Sequence, residues 1–184
     1  MRIEPIPYED LAPEIRARYD AGVAEGRYTM TAPLQVYAYA PAEAIAQDEA
    51  YRLTFRQGAL GTRMEELLRL RSAQLNGCAP CASSRKDASI TEDEVACMIA
   101  GPDESTLDAR ERLALQFMEL MSERPHDIDD DTFIELAEHF TTAEIVELGM
   151  MCGRFIGGHR FTHALDIFST AEPLLRYEPA ASRA

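Results

Sequence analysis

The chain has 184 residues, a formal net charge of −14 and 46% hydrophobic residues. This length suits one domain with a single core, and the balance of apolar and charged residues is that of a folded protein. The acidic charge argues against nucleic acid or an anionic membrane surface as a partner, because both bind clustered Lys and Arg.

The first third of the chain contains signals for three helices. A short helix is predicted from Leu11 to about Ala24. Pro33 and Pro41 each mark the first turn of another helix, where a missing N–H costs nothing. The second of these reaches about Gly58 and carries apolar residues at helical spacing.

The middle of the chain predicts a stronger helix that starts at Thr62. It carries leucines at helical spacing and ends at Asn76-Gly77, a typical left-handed stop. A short helix is predicted from Cys78 to about Ala88. The next helix starts at the capping box Thr91–Glu94 and ends at Gly101-Pro102.

The last third predicts three further helices. They begin near Ser105–Asp108, at Asp129 and at Thr141, where hydroxyl or acidic side chains suit a helix start. The final helix is expected to break at Gly157-Gly158 and to continue towards Phe168.

These signals predict an all-α fold, a single compact domain of about eight helices. Residues 1–32 are assigned to an N-terminal arm with a short helix, 33–170 to the helical domain and 171–184 to a C-terminal tail. The region from Leu11 to Tyr51 is rich in tyrosine, and it carries few charges between Thr29 and Pro41. We therefore expect part of this region to cover a neighbouring subunit in a homo-oligomer.

No apolar run approaches the ~20 residues of a membrane span, and the N-terminus lacks the apolar core of a signal peptide. Four cysteines at irregular spacing do not form the disulfide framework of a small secreted domain. We therefore expect a cytoplasmic protein without a membrane partner.

Cys78 and Cys81 form the one chemically distinctive motif, a Cys-x-x-Cys directly after the Gly77 stop. Within one helical turn two sulfurs can reach disulfide distance, and the unpaired N–H groups of a helix start stabilise a thiolate. Only the thiolate attacks peroxides or disulfides. The pair therefore predicts redox chemistry.

Two other interpretations of the pair stay open, half of a zinc site and an inert packed pair. Zinc needs further ligands of suitable spacing, and Cys97 and Cys152 stand singly in apolar stretches. Both are expected to be small core side chains. No metal or cofactor is predicted.

Residues 66–81, with the sequence ELLRLRSAQLNGCAPC, resemble the signature of the alkylhydroperoxidase D and carboxymuconolactone decarboxylase superfamily. In its peroxidase branch a Glu stands twelve positions before the first Cys, and a His four positions after the second. Glu66, Cys78 and Cys81 match this pattern. A looser likeness extends over roughly 33–168.

The resemblance implies an all-helical, alkylhydroperoxidase D-like homo-oligomer that reduces hydroperoxides. It implies Cys81 as the attacking thiolate, Cys78 as the resolving thiol and Glu66 as part of a proton relay. It also implies that electrons come from a dithiol reductant, of which a lipoyl-bearing protein is one example.

The chain departs from this pattern at position 85, where Arg85 replaces the relay His. Arginine stays protonated and cannot shuttle a proton. Four residues from Cys81 on one helix face, its guanidinium could stabilise the thiolate. A chain reversal at Asn76-Gly77 would also allow a Glu66–Arg85 ion pair, the alternative being a solvated pair with no catalytic part.

His159, His163 and Asp166 could share one face of the last helix. The spacing allows metal ligation, although ordinary packing is the commoner outcome. His163 is also a candidate for the missing relay group.

The sequence thus predicts a thiol-dependent peroxidase that acts through Cys81, Cys78, Glu66 and Arg85. The first alternative is a disulfide reductase or redox sensor that uses the same dithiol. The second is a non-redox, carboxymuconolactone decarboxylase-like helical binding module.

Overall fold

The computed structural model describes residues 1–28, 30–100 and 107–167. Within these ranges the chain forms nine α-helices and two 3-10 turns, without a β-strand, which confirms the all-α prediction. No helix among them is both long and apolar enough to cross a bilayer. The helices are α1 (Pro13–Ala24), α2 (Ala32–Tyr37), α3 (Pro41–Thr54), α4 (Thr62–Leu75), α5 (Ala79–Ser83), α6 (Glu92–Ala100), α7 (Ala109–Glu123), α8 (Asp130–His139) and α9 (Thr142–Ala164).

The helix starts follow the capping signals of the sequence. Asp108, Asp129 and Thr141 each accept a hydrogen bond from the backbone N–H three residues on, in a complete capping box. Thr91 does the same for α6 through Glu94. Each cap contributes about 1 kcal/mol to its helix. Residues 105 and 106 of the predicted α7 start lie outside the described ranges.

Two predicted helix boundaries are wrong. α9 runs without a break through Gly157 and Gly158, because the neighbouring residues Ile156 and His159 are buried and hold the helix against the core. α5 ends at Ser83 rather than near Ala88, because Ser84 takes an extended backbone conformation.

Helix α4 lies at the centre of the molecule and packs against α5, α6, α7 and α9. Its residues Leu67, Leu68 and Leu70 are fully buried, and each contributes about 2 kcal/mol through the loss of apolar surface from water. The same helix also carries Glu66 and Arg69 into the interior. The most buried helix therefore brings charge as well as apolar surface to the core.

The N-terminal segment packs onto α3. Leu11 and Ile15 contact Ala44, and the buried Arg27 pairs with the buried Asp48. The predicted division into arm, domain and tail stays a prediction, and residues 168–184 lie outside the described ranges.

Candidate active site

A tight turn after α4 places the two cysteines. Gly77 has a φ of +68°, a left-handed conformation that favours glycine. A Cβ at this position would also stand 3.3 Å from Nδ1 of His163. The Cys78 N–H donates to the Ala73 carbonyl at 2.9 Å, which closes the turn as in a Schellman motif. The predicted stop at Asn76-Gly77 is therefore confirmed.

Cys78 and Cys81 are joined in a disulfide, with their Cα atoms 5.3 Å apart. Cys78 is completely buried. Cys81 is half-buried and lines a cavity of about 600 Å³. In the reduced protein, Cys81 is therefore the sulfur that a molecule in the cavity can reach, with Cys78 behind it.

A buried ion pair fixes the segment that follows the dithiol. Glu66 accepts two hydrogen bonds from Arg69, at 2.6 and 2.7 Å, and a third from the Lys86 backbone N–H at 2.7 Å. Arg69 in turn donates to the carbonyls of Cys81 and Ser84, at 2.6 and 3.0 Å. This bidentate pair therefore holds both ends of the stretch from Cys81 to Lys86 against α4.

Arg85 does not form the expected ion pair with Glu66. Its guanidinium makes two bonds to Glu92, at 2.8 and 2.9 Å, and Nη1 donates to the carbonyls of Ala82 and Ser84. Arg69 takes the place beside Glu66, and Arg85 does not line the cavity. A role for Arg85 in stabilising the Cys81 thiolate stays a prediction.

Lys86, the next residue, is directed inward and is 7% exposed. Its Nζ lies at the cavity wall and donates to the Arg27 carbonyl and, at 2.6 Å, to the Tyr51 hydroxyl. Burial, reinforced by the positive charge of Arg69, lowers the pKa of Lys86 to about 7. The chain therefore has a titratable group in this cavity although the relay His is missing.

The pKa of Lys86 predicts that stability rises between pH 7 and pH 8.5. In this range the unfolded chain, with an ordinary lysine pKa of 10.5, binds more protons than the folded one. The free energy of unfolding should therefore increase by about 1.5 kcal/mol over the interval, relative to the variant Lys86→Met. Urea unfolding of both oxidised proteins at the two pH values measures this difference. Parallel pH profiles would show that Lys86 is not held in its neutral form.

His159 is the histidine that lies beside the dithiol. Its Nδ1 is 2.9 Å from the Ser72 hydroxyl, and its ring stacks on Phe155 with the centroids 5.9 Å apart. Burial, with the charges of Arg69 and Lys86, lowers the pKa of His159 to about 3. The ring is therefore neutral at physiological pH and can form hydrogen bonds or ligate, but it is a weak base.

Three potential metal ligands meet at this point. One ligand atom each from Cys78, Cys81 and His159 lies within 4.8 Å of the other two. Two thiolates and a neutral imidazole are a donor set that zinc accepts, with a fourth position open to water. The zinc interpretation thus gains a third ligand from a distant part of the chain, and it requires the reduced dithiol.

Arg69, Lys86 and Tyr51 were not expected at the site from the sequence, and the relay role of His163 stays a prediction. Arg69 had a local signal, since it stands three residues after Glu66 on the same helix face. Tyr51 and His159 had none, because their approach to the dithiol depends on the packing of α3 and α9. The side chain of Cys97 is outside the described part of the chain, whereas Cys152 is fully buried as expected.

Comparisons with known proteins agree with this fold. A structure described as the alkylhydroperoxidase AhpD core, an uncharacterized peroxidase-related protein from Ralstonia eutropha JMP134, is 19% identical, covers 89% of this chain and 88% of its own, and has a TM-score of 0.70. A peroxidase-related protein from Silicibacter sp. TM1040 is 20% identical, with 88% and 87% covered and a TM-score of 0.69. The chain has the alkylhydroperoxidase D-like fold.

One more solved structure and one protein of similar sequence resemble this chain. The debrominase Bmp8, solved as a variant in complex with 2,3,4-tribromopyrrole, is 17% identical, covers all of this chain and 94% of its own, and has a TM-score of 0.74. The uncharacterized protein YdfG of Bacillus subtilis strain 168 is 24% identical over 115 residues, which are 60% of this chain and 78% of that protein. No family model matches the sequence.

Proposed function

We propose that this protein is a thiol-dependent peroxidase that reduces organic hydroperoxides through the Cys78/Cys81 pair. The observation that carries the proposal is the position of the two sulfurs. Cys81 lines a cavity, and Cys78 lies buried at bonding distance behind it. The peroxidase-related descriptions of proteins with the same fold also support it.

In the proposed reaction the Cys81 thiolate attacks the distal oxygen of the hydroperoxide. The S–O bond forms as the O–O bond breaks, which gives Cys81 sulfenic acid and an alkoxide. Lys86, with a pKa of about 7, is suited to give the alkoxide its proton near neutral pH. The Cys78 thiol then displaces water from the sulfenic acid to form the disulfide, and an external dithiol reduces it.

The surrounding charges support the first step. Arg69 and Lys86 both line the cavity with Cys81, and nearby positive charge lowers the pKa of a thiol. Glu66 already accepts three hydrogen bonds, which favours a positioning role, while its predicted proton relay stays untested. The dithiol reductant, the homo-oligomer and the cytoplasmic location also stay predictions.

Reductive dehalogenation is the second candidate, favoured by a cavity far larger than hydrogen peroxide and by the debrominase of similar fold. In it the two thiols would be oxidised to the disulfide while an aryl halide gains hydrogen and loses halide. The same dithiol cycle would serve both reactions.

Steady-state assays separate these candidates. With dihydrolipoamide as reductant and the uncatalysed rate subtracted, we expect turnover of cumene hydroperoxide to exceed that of an aryl bromide and of a model disulfide, oxidised glutathione, in kcat/KM. Cys152→Ser is the matched control, because Cys152 is buried away from the cavity lining. Faster turnover of the bromide or of the disulfide would assign the dithiol to that reaction instead.

A further inference from the structure

The cavity beside Cys81 is sized for an organic molecule. Its volume of about 600 Å³ lies in the range of sites that hold ligands of drug size. One wall carries Tyr37 stacked on Phe161, with the ring centroids 5.6 Å apart and the planes 14° from parallel. On the α9 side, Gly153 and Gly157 line the cavity, and among the described residues a Cβ at either would meet nothing within 4 Å beyond its own stretch of helix. An apolar body therefore has both a flat surface to contact and room to enter.

Two basic side chains on the wall, Lys86 and Arg154, lack a carboxylate partner within 4 Å among the described residues. Lys86 uses two of its three N–H groups, for the Arg27 carbonyl and the Tyr51 hydroxyl. Arg154 donates through Nη1 to the Ala50 carbonyl and the Thr54 hydroxyl, at 3.1 and 2.8 Å. Its Nε is buried without a hydrogen-bond partner. Glu65 and Glu147 act on Arg154 electrostatically without forming an ion pair with it, so an anion in the cavity can supply a direct partner.

The other charges of the cavity lining are balanced. Arg69 pairs with Glu66, and Arg27 pairs with Asp48 and Glu25. In a chain of net charge −14, this cavity thus presents an excess of positive charge. A cavity whose lining carries more positive than negative side chains attracts anionic ligands.

We infer that the cavity binds an organic anion, a carboxylate on an aromatic or branched hydrocarbon body. The carboxylate lies against Arg154, the hydrocarbon contacts Tyr37 and Phe161, and Lys86 stays available to protonate the alkoxide. As a substrate class this rests on the proposed function, since the reacting group would then be a hydroperoxide on the same molecule. Binding of the anion itself does not depend on that reaction.

Calorimetry on the oxidised protein tests the inference with a matched pair of probes, 4-isopropylbenzoate and the neutral 4-isopropylbenzamide. We expect the carboxylate to bind at least about tenfold more tightly, a difference that corresponds to about 1.4 kcal/mol. Arg154→Met should remove this preference, because it removes the cation that the carboxylate contacts. Arg124→Met, a change at a side chain that is 65% exposed, is the control and should leave the preference intact.

Thermal melting shows whether each variant is folded, and the comparison of the two probes on the wild-type protein decides the matter if Arg154→Met does not fold. Equal affinity for the two probes, no detectable binding of the carboxylate at millimolar concentration, or a preference that survives Arg154→Met would each overturn the inference.

Kinetics with cumene hydroperoxide and its para-carboxylate derivative distinguish this inference from the proposed function. We expect kcat/KM for the carboxylate derivative to be at least about tenfold higher. The difference should lie in KM, because the carboxylate is bound equally well in the ground state and in the transition state. Equal reduction of both would refute the substrate class and leave the peroxidase intact. Reduction of neither would refute the peroxidase, and the calorimetry would still decide whether the anion binds.

Discussion

Replacing Cys81 with serine should abolish hydroperoxide turnover, with kcat/KM reduced by at least ~10³-fold, because a hydroxyl cannot replace the attacking thiolate. Cys78→Ser should behave differently. Its Cys81 should still react once with cumene hydroperoxide and then stop as a sulfenic acid, because the buried Cys78 that would resolve it is gone.

Stopped-flow consumption of peroxide and trapping of the sulfenic acid with dimedone measure the two outcomes. Dimedone should modify Cys81 in the Cys78→Ser protein and nothing in the Cys81→Ser protein. Cys152→Ser should match the wild type, since burial raises the pKa of the Cys152 thiol to about 12 and keeps it unreactive. A Cys81→Ser protein that still forms one equivalent of sulfenic acid at Cys78 would reverse the assignment of the two sulfurs.

Replacing Glu66 with glutamine should destabilise the protein by about 3–5 kcal/mol, because it leaves the Arg69 charge buried without a counter-charge. The side chains of Arg69 and Glu66 are only 5% and 2% exposed, so water cannot solvate the charge that is left unpaired. The hydrogen bonds from Arg69 to the carbonyls of Cys81 and Ser84 should weaken as well. Urea unfolding of the oxidised variant measures the stability change, and peroxide kinetics measure the effect on the site.

The double variant Glu66→Gln/Arg69→Met distinguishes positioning from proton relay. Removal of both charges should recover part of the stability, because no unpaired charge remains. If Glu66 relays protons, the pH profile of kcat should lose the same ionisation in the single and the double variant. If Glu66 only positions Arg69, the profile should keep its wild-type shape and the rate alone should fall. A single variant as stable as the wild type would contradict the buried-pair account.

Short-range features of this protein were predictable from its sequence. The turn at Gly77, the capping boxes and the Cys-x-x-Cys pair depend on residues within a few positions of one another. Glu66 came from the resemblance to the alkylhydroperoxidase D signature, in which a Glu precedes the first Cys, and its role stays a prediction. The all-α fold followed from helical periodicity together with frequent start and stop signals.

The sequence did not reveal that Lys86, rather than Arg85, faces the cavity. Helical spacing from Cys81 predicted that Arg85 would lie on the cysteine face. The helix instead ends at Ser83, and neighbouring side chains of an extended segment point in opposite directions. Arg85 therefore reaches out to Glu92, and Lys86 points inward. The end of the short helix α5 therefore determines which of the two basic side chains faces the cavity. Helix ends are the boundaries that a sequence predicts least well.

The position of His159 depends on contacts between distant parts of the chain, which the sequence did not predict. It reaches the dithiol only because α9 packs against α4 without a break, 78 positions along the chain from Cys81. A break at Gly157-Gly158 was a reasonable expectation from glycine propensity, and tertiary packing overrides it.

The central claim is that Cys78 and Cys81 form a reversible redox pair that a hydroperoxide oxidises. In the direct test, reduced protein is treated with or without one equivalent of cumene hydroperoxide and is alkylated only afterwards, and intact mass with peptide mapping counts the modified cysteines. We expect peroxide to remove two alkylation sites, at Cys78 and Cys81, and dihydrolipoamide to restore them. Retention of both thiols after peroxide, or stoichiometric zinc that keeps them from reacting, would contradict it.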